Sequence, residues 1–247
     1  MPLYKTQGII LGWHKLGEAD KILSILTQDE GKVRAVAKGV RRTKSRFGAR
    51  LEPFTHVDLM CYRGRSLDTV TQAEIIEPFR RVRGDVARFT AAEAMLEAVE
   101  KVAEEHERNV RLFLLLRKGL QALEAGPADP AATAEAFLVK LLGMSGFGPI
   151  LSACAQCGRQ PVSRFSNAQG GAICDDCQER DARRAGPDAL AWLAALAEGE
   201  LEEAGSRTPP GSVRGEARAL LYGFAEYHLE RRLRSLPILA RLHPAAS

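Results

Sequence analysis

The sequence predicts an α+β, multi-domain chain: a small closed β-barrel first, then an α-helical bundle with a four-cysteine module inserted in it. Three observations carry this. Apolar, β-branched runs with a period of two fill the first 80 residues, and spacings of three and four take over after Pro78. Two Cys-x-x-Cys pairs then interrupt the helical part.

The barrel segment reads as five short strands in about 75 residues. "TQGIILGWHKL" and "KILSILTQDEGKVRAVAKG" are broken by turn signals at Gly17-Glu18-Ala19-Asp20 and Asp29-Glu30-Gly31. Val33, Ala35 and Ala37 alternate with Arg34, Val36 and Lys38, so Arg34 and Lys38 share one face. "THVDLMCYR" and "LDTVTQAEII" follow, joined by a turn at Gly64. An OB-fold is the commonest such barrel among nucleic-acid binders, which makes 1–80 an OB-fold nucleic-acid-binding domain.

Beyond Pro78, "GDVARFTAAEAMLEAVEKVAEEHE" spaces Val86, Phe89, Leu96, Val99 and Ala103 as one helical stripe. "NVRLFLLLRKGLQALEAG" is apolar through its middle and is expected at the centre of the bundle. Gly126-Pro127 ends it, and Asp129-Pro130 is an N-cap and N1 pair for "AATAEAFLVKLLGMSG". "GPDALAWLAALAEG" and "SVRGEARALLYGFAEYHLERRLRSL" are the last two helices, linked by "SRTPPGS". Residues 81–150 and 182–247 thus form a helical domain, with 151–181 as the insertion.

The insertion holds Cys154, Cys157, Cys174 and Cys177, spaced C-x2-C-x16-C-x2-C. Two such knuckles can converge four thiolates on one structural Zn²⁺. The loop is too poor in apolar residues to fold alone, so metal would supply its folding energy, on the order of 10 kcal/mol or more. Disulfides are disfavoured in a cytosolic chain, a redox pair would stand beside a βαβ pattern, and a catalytic zinc would keep an open position. Arg159, Arg164 and Phe165 are offset by Asp175, Asp176, Glu179 and Asp181, which argues for a scaffold. The fifth cysteine, Cys61, falls in a strand and reads as core.

Net charge is concentrated at one end. Residues 1–80 hold 14 Lys+Arg against 9 Asp+Glu, whereas the remaining 167 hold 21 against 22. Within the first part, Lys32, Arg34, Lys38, Arg41, Arg42, Lys44, Arg46 and Arg50 occur with no acid between 32 and 50, and with Phe47 among them. A barrel bearing such a stretch matches the way single strands are held, cations along the backbone and aromatic faces on the bases. With no recognition helix, binding is expected to be largely independent of sequence. Arg63 and Arg65 on a neighbouring hairpin, and "RRVRG" at 80–84, would border this path. A second basic group, Arg231, Arg232, Arg234 and Arg241, ends the last long helix, where it either complements the helix dipole, the favoured reading, or contacts DNA.

Catalytic patterns are missing from the sequence. There is no phosphate loop, no G-x-G-x-x-G after a strand, no nucleophile elbow, and no metal-ligand spacing among His14, His56, His106, His228 and His243. His228 reads as a packed or surface histidine. The expectation is a non-enzyme. No apolar run is long enough to span a bilayer, and the N-terminus lacks the parts of a signal peptide, so a cytoplasmic protein with no membrane partner is expected.

In its order of parts the chain resembles the bacterial RecO family of recombination mediators. The resemblance lies in the G-I-I-L strand, the "GEAD" turn, the T-x-x-x-G-K hairpin, "AKGVRRTKSR" and "LEPF", then "LLGMSGFGPILSACAQCG", the cysteine knuckles and "RRLRSLPIL". It implies binding of single- and double-stranded DNA, annealing of complementary strands, and, with RecR, loading of RecA onto strands coated by SSB. It also implies contact with the SSB C-terminal tail and a nucleoid association when DNA-bound. The barrel would be the DNA-binding part, through Lys38, Arg41, Arg42, Lys44 and Arg46. Two rival readings are a protein-interaction adaptor and an RNA-binding zinc protein.

Overall fold

The period-two runs become five strands: β1 (Leu3–Leu16), β2 (Asp20–Thr27), β3 (Gly31–Ala37), β4 (His56–Tyr62) and β5 (Asp68–Glu77). In this computed structural model, residues 2–43, 45, 47–127, 129–177, 179–206 and 209–242 are described. The strands close into a barrel in the order β1-β2-β3-β5-β4, antiparallel except where β3 meets β5 at Ala35↔Asp68 and Val36↔Thr69. That is the OB arrangement. Alternation does the work: Val33, Ala35 and Ala37 are buried, while Arg34 and Lys38 face solvent. Cys61 is buried as expected, and burial pushes its thiol pKa up to about 12.

The chain divides into two compact units, Met1–Arg80 with Val102–Gln121, and Arg81–Lys101 with Ala122–Ser247. The division runs through the helices. The first is a single turn, α1 (Arg80–Gly84), followed by α2 (Val86–Val102), α3 (Val110–Ala125) and α4 (Pro130–Met144). Most of α3 belongs with the barrel, where Phe113 meets His56 edge-on at 5.6 Å between ring centroids. It is amphipathic rather than central to a bundle: Leu112, Phe113 and Leu116 are buried and Leu114 is half exposed. Ahead of it, the extended segment 103–109 runs beside β3, with the His106 N–H donating to the Lys32 carbonyl at 2.9 Å. Gly31, with φ +70°, lies beneath this segment, and a Cβ there would collide with the Glu107 backbone.

The buried face of α2 differs from the expected stripe. Val86 is 70% exposed and Phe89 42%, and Ala103 falls beyond the helix end. Ala91, Ala92, Ala94, Met95, Leu96, Ala98 and Val99 are buried instead. Alanines crowd two faces of this helix, so its outline gives little polar–apolar contrast.

In the second unit α4 packs with α5 (Pro187–Glu198) and α6 (Gly211–His228). The Asp129 carboxylate accepts from the N–H groups of Ala131 and Ala132 and Pro130 sits at N1, as the sequence predicts. The expected single C-terminal helix is two. It stops at His228, Glu230 adopts a left-handed conformation (φ 49°), and α7 (Ser235–Leu242) starts afresh. Breaking there lets Leu233 bury fully and puts Pro237 in a first turn, where its missing N–H costs nothing. Arg231, Arg232 and Arg234 therefore stand in a connection, not at a helix C-terminus.

Candidate nucleic-acid interface and cysteine cluster

The basic stretch begins on β3 and passes into a turn that the β1–β2 connection holds in place. Asp20 Oδ1 accepts from the Gly39 N–H at 2.7 Å, and the Ala19 carbonyl accepts from the Arg41 N–H at 2.9 Å. This gives the "GEAD" turn a role that the sequence leaves open: it fixes the basic turn at one end of the barrel. Gly39, with φ +67°, supplies the left-handed corner.

Arg34, Lys38, Arg41 and Arg42 are exposed, and Arg41 Nη1 reaches the Gly17 carbonyl at 3.3 Å. Lys32 is half-buried beside the 103–109 segment, and half-buried Arg50 donates from Nη1 to the Phe47 carbonyl at 3.3 Å. Lys44 and Arg46 lie outside the described residues. The structure thus leaves four of the expected cations exposed and gives Lys32 and Arg50 packing duties as well. Lys15, absent from the expected set, is exposed two residues before Gly17. Its signal is only its place at the end of the strand leading into the anchoring turn.

Phe47 is not a stacking residue. It is 2% exposed and, with Leu51 from the following 3-10 turn, plugs the barrel core against Ile10, Ile25, Val57 and Leu59. Trp13 is committed too: Lys21 Nζ lies 3.7 Å above its ring and its Nε1 donates to Glu52 at 3.2 Å. Arg63 pairs with Glu30 and lies over the Tyr4 ring. The basic end of the barrel therefore offers charge and no free aromatic face from the 38–50 stretch.

The inserted module is a three-stranded sheet, β6 (Arg164–Ser166), β7 (Gly171–Ile173) and β8 (Arg183–Arg184), in the order β7-β6-β8. Cys154 and Cys157 form one turn, closed by the Gly158 N–H donating to the Cys154 carbonyl at 2.8 Å. Cys174 follows β7, and Cys177 closes a matching turn by donating its N–H to the Cys174 carbonyl. All four Sγ atoms lie within 4.8 Å of one another, and Cys157 and Cys174 are 3.7 Å apart. A tetrahedron of sulfurs about 2.3 Å from a central ion would have edges of about 3.8 Å. Disulfides need sulfurs about 2.05 Å apart, and all five cysteines are free.

The cluster can hold a metal ion. Backbone N–H groups of Cys174, Cys157 and Gln156 draw the Cys154 pKa down to about 6, whereas hydrogen bonding to Cys157 and Cys174 holds Cys177 up at about 12. The backbone N–H and side chain of Arg159 lower the Cys157 pKa as well, so two of the four thiolates form readily, and a bound dication would favour the thiolate form of all four. Two of the module's arginines are matched within it: Arg159 pairs with Asp176 at 3.0 Å and Arg164 with Asp175 at 3.3 Å. Phe165 is buried edge-on against Phe224 of α6, so the module is docked onto its helices.

Comparisons with known proteins agree on both halves of the chain. Residues 1–79 match the family model described as Recombination protein O N terminal, and residues 83–237 that described as Recombination protein O C terminal. "DNA repair protein RecO" of Nocardioides sp. is 43% identical, with 97% of this chain and 100% of that protein covered. Those of Frankia casuarinae and Streptomyces avermitilis are 43% and 44% identical over 98% and 96% of this chain. No helix among the described residues is long and apolar enough to cross a membrane. With the barrel, the helices and the cysteine cluster in one order from end to end, the chain belongs to the RecO family of DNA repair proteins.

Proposed function

We propose that this chain is a non-enzymatic recombination mediator whose barrel holds DNA by its phosphates. The observation that carries the reading is the anchored turn with Arg34, Lys38, Arg41 and Arg42 exposed around it and no acid between residues 32 and 50. Lys32, Lys44, Arg46 and Arg50 complete the proposed set. Single- and double-stranded DNA both present this surface with a phosphate backbone, so both bind, and sequence matters little.

Annealing follows without a catalytic group. A cationic surface that holds two polyanionic strands lowers their repulsion, and base pairing then drives the reaction. The family's named partners fit this role: RecR, the SSB C-terminal tail, and RecA, loaded indirectly onto coated strands. Cytoplasmic location, with nucleoid association when DNA is bound, goes with the same reading. The cluster of Cys154, Cys157, Cys174 and Cys177 takes one structural Zn²⁺, whose bonds supply cohesion that the small module lacks. Residues 151–181 form the zinc insertion between the two parts of the helical domain, 81–150 and 182–247.

The test is binding of a fluorescent single-stranded oligonucleotide across a salt series. The expected log–log slope is about −0.7 per phosphate neutralised. Arg41→Glu with Arg42→Glu lowers affinity and slope together while circular dichroism stays unchanged. Unaltered binding by that folded variant would remove the barrel from the reading and favour an adaptor. Preference for RNA of equal length would favour an RNA-binding protein.

A further inference from the structure

The connection after α6 gathers a second set of cations, within the helical unit. Lys101 from the end of α2 and Arg231, Arg232 and Arg234 line an open cavity of about 480 Å³, closed on one side by Pro237. All four cations are exposed, and among the described residues none of their side chains makes an ion pair or hydrogen bond. Burying Leu233 between them turns the arginines outward.

Of the neighbouring acids, Glu97 borders the site and feels the Lys101 charge, but its oxygens are occupied by backbone donors. Glu97 accepts from the backbone N–H groups of Arg234 at 2.9 Å and Ser235 at 2.8 Å, and Glu226 from that of Leu233 at 3.1 Å. Glu230 is exposed in the left-handed turn and does not line the cavity.

A second, independent feature adjoins this cavity in the chain. Tyr227 and Phe147 are 52% and 41% exposed, and His228 lies between them, stacked on Phe147 at 5.2 Å and edge-on to Tyr227 at 5.1 Å. His228 Nε2 bonds to the Asn167 carbonyl at 2.9 Å and lies 4.2 Å from the Phe224 ring, which fixes the imidazole. The result is an immobilised ledge of rings whose outer members are open. It begins four residues before Arg231, a span of at most about 14 Å along the chain.

We propose that the end of α6 is a second single-stranded-DNA surface, where Lys101, Arg231, Arg232 and Arg234 take phosphodiesters and Tyr227 and Phe147 stack bases. Exposed cations beside exposed rings are the combination that grips single strands without reading sequence. It is also the combination that the barrel turn lacks, since Phe47 is buried. This inference rests on the reading of the barrel as the first strand surface. It deepens that reading by giving an annealing protein a place for the second strand. Rings favour unpaired nucleotides, so this surface selects single strands over duplex.

The test uses the full chain and two dye-labelled, non-complementary oligothymidylates, so that energy transfer reports two strands on one protein without base pairing. Arg231→Glu with Arg232→Glu is expected to bind the first strand within about twofold of the unsubstituted chain and to capture the second at least tenfold more weakly. Tyr227→Ala should lose photocrosslinking of 5-iodouracil-substituted DNA to this surface while melting normally. Second-strand capture unchanged in the arginine variant overturns the proposal. So does a cavity that binds a polyglutamate peptide but no oligothymidylate, which would make it a docking site for an acidic protein segment. Failure of the barrel reading gives a different result: Arg41→Glu with Arg42→Glu binds the first strand normally while the Arg231 and Arg232 variant loses it.

Discussion

His56 Nδ1 lies 2.8 Å from Glu77 Oε2 inside the barrel unit, while His56 Nε2 is buried with no partner among the described residues. Arg117 Nε, 2.7 Å away, and Gln121 Nε2 also donate to the Glu77 carboxylate. A neutral imidazole with its proton on Nδ1 satisfies this geometry, whereas a protonated one would leave a buried N–H without an acceptor. Burial accordingly lowers the His56 pKa below its ordinary 6.5, even though Glu77 pulls the other way. Burial tends to raise the Glu77 pKa, but the bonds from Arg117, Gln121 and His56 outweigh it and hold the carboxyl below its usual range.

Both folded-state values are depressed, so both groups contribute stability that is present at neutral pH and lost on acidification. The first loss, from His56, begins as pH falls through about 6.5, where the unfolded chain takes up a proton that the folded one refuses. The second, from Glu77, begins below 4.5. Urea unfolding in a Trp192→Phe background, with Trp13 reporting on the barrel, should show stability falling between pH 7 and 5.5. His56→Asn should flatten that slope. An unchanged slope would mean that His56 is not the responsible group.

Phe47→Ala should cost the barrel about 3–5 kcal/mol, the range for emptying a buried phenylalanine site. DNA binding would fall only as far as unfolding removes competent protein. At temperatures where the variant is folded, its salt slope should match the unsubstituted chain, because Phe47 contributes no phosphate contact. A variant of normal stability and weakened binding would return Phe47 to a stacking role.

That outcome bears on how far the site could be read from sequence. The barrel was legible because β3 alternates Val33, Ala35 and Ala37 against Arg34, Val36 and Lys38, and the same alternation placed two of the four open cations. Phe47 was not legible, since a lone aromatic among arginines suits a stacking face as well as a plug. Leu51, four residues on, was the deciding signal, because a second apolar residue just past the basic run enters the barrel core with Phe47. The break after His228 had no such signal, because an unbroken helix ending at Leu236 would equally have stopped short of Pro237. The ring ledge had none: Phe147 and Tyr227 are eighty residues apart and meet only across His228.

Metal removal should act locally. Beyond its cysteines the module's core is little more than Ile173 with Ala155, Val162 and Ala182 packed around it, too small to hold three short strands. Purified protein is expected to carry one zinc per chain by atomic emission, and Cys174→Ser to carry none. After chelation, hydrogen exchange should accelerate across 150–185, while α4, α5 and α6 keep most of the helical dichroism. Protons compete for thiolates, so zinc should leave more readily as pH falls. Retention of a full equivalent by Cys174→Ser would place the metal elsewhere.

The helical unit carries a buried ionic network whose pH response is opposite to that of the barrel. Glu135 on α4 is 2% exposed and accepts from Arg218 Nε at 2.7 Å, with Arg214 Nε 3.6 Å from its other oxygen. Arg214 in turn clamps Asp129, the N-cap of α4, so cap and core share one cation. Burial raises the Glu135 pKa, and the two arginines oppose it. Removing one should therefore leave a carboxylate that is costly to keep charged. Arg218→Met is expected to lose about 3–5 kcal/mol at neutral pH, the range for breaking a buried pair. A carboxyl whose folded pKa lies above the unfolded 4.5 favours the folded state in acid and loses that advantage as pH rises. The penalty should therefore shrink between pH 7.5 and 5.5, as Glu135 takes a proton instead of a partner. Urea midpoints of the variant and the unsubstituted chain at those two values decide it. An equal penalty at both would show that Glu135 is not the charge that Arg218 compensates.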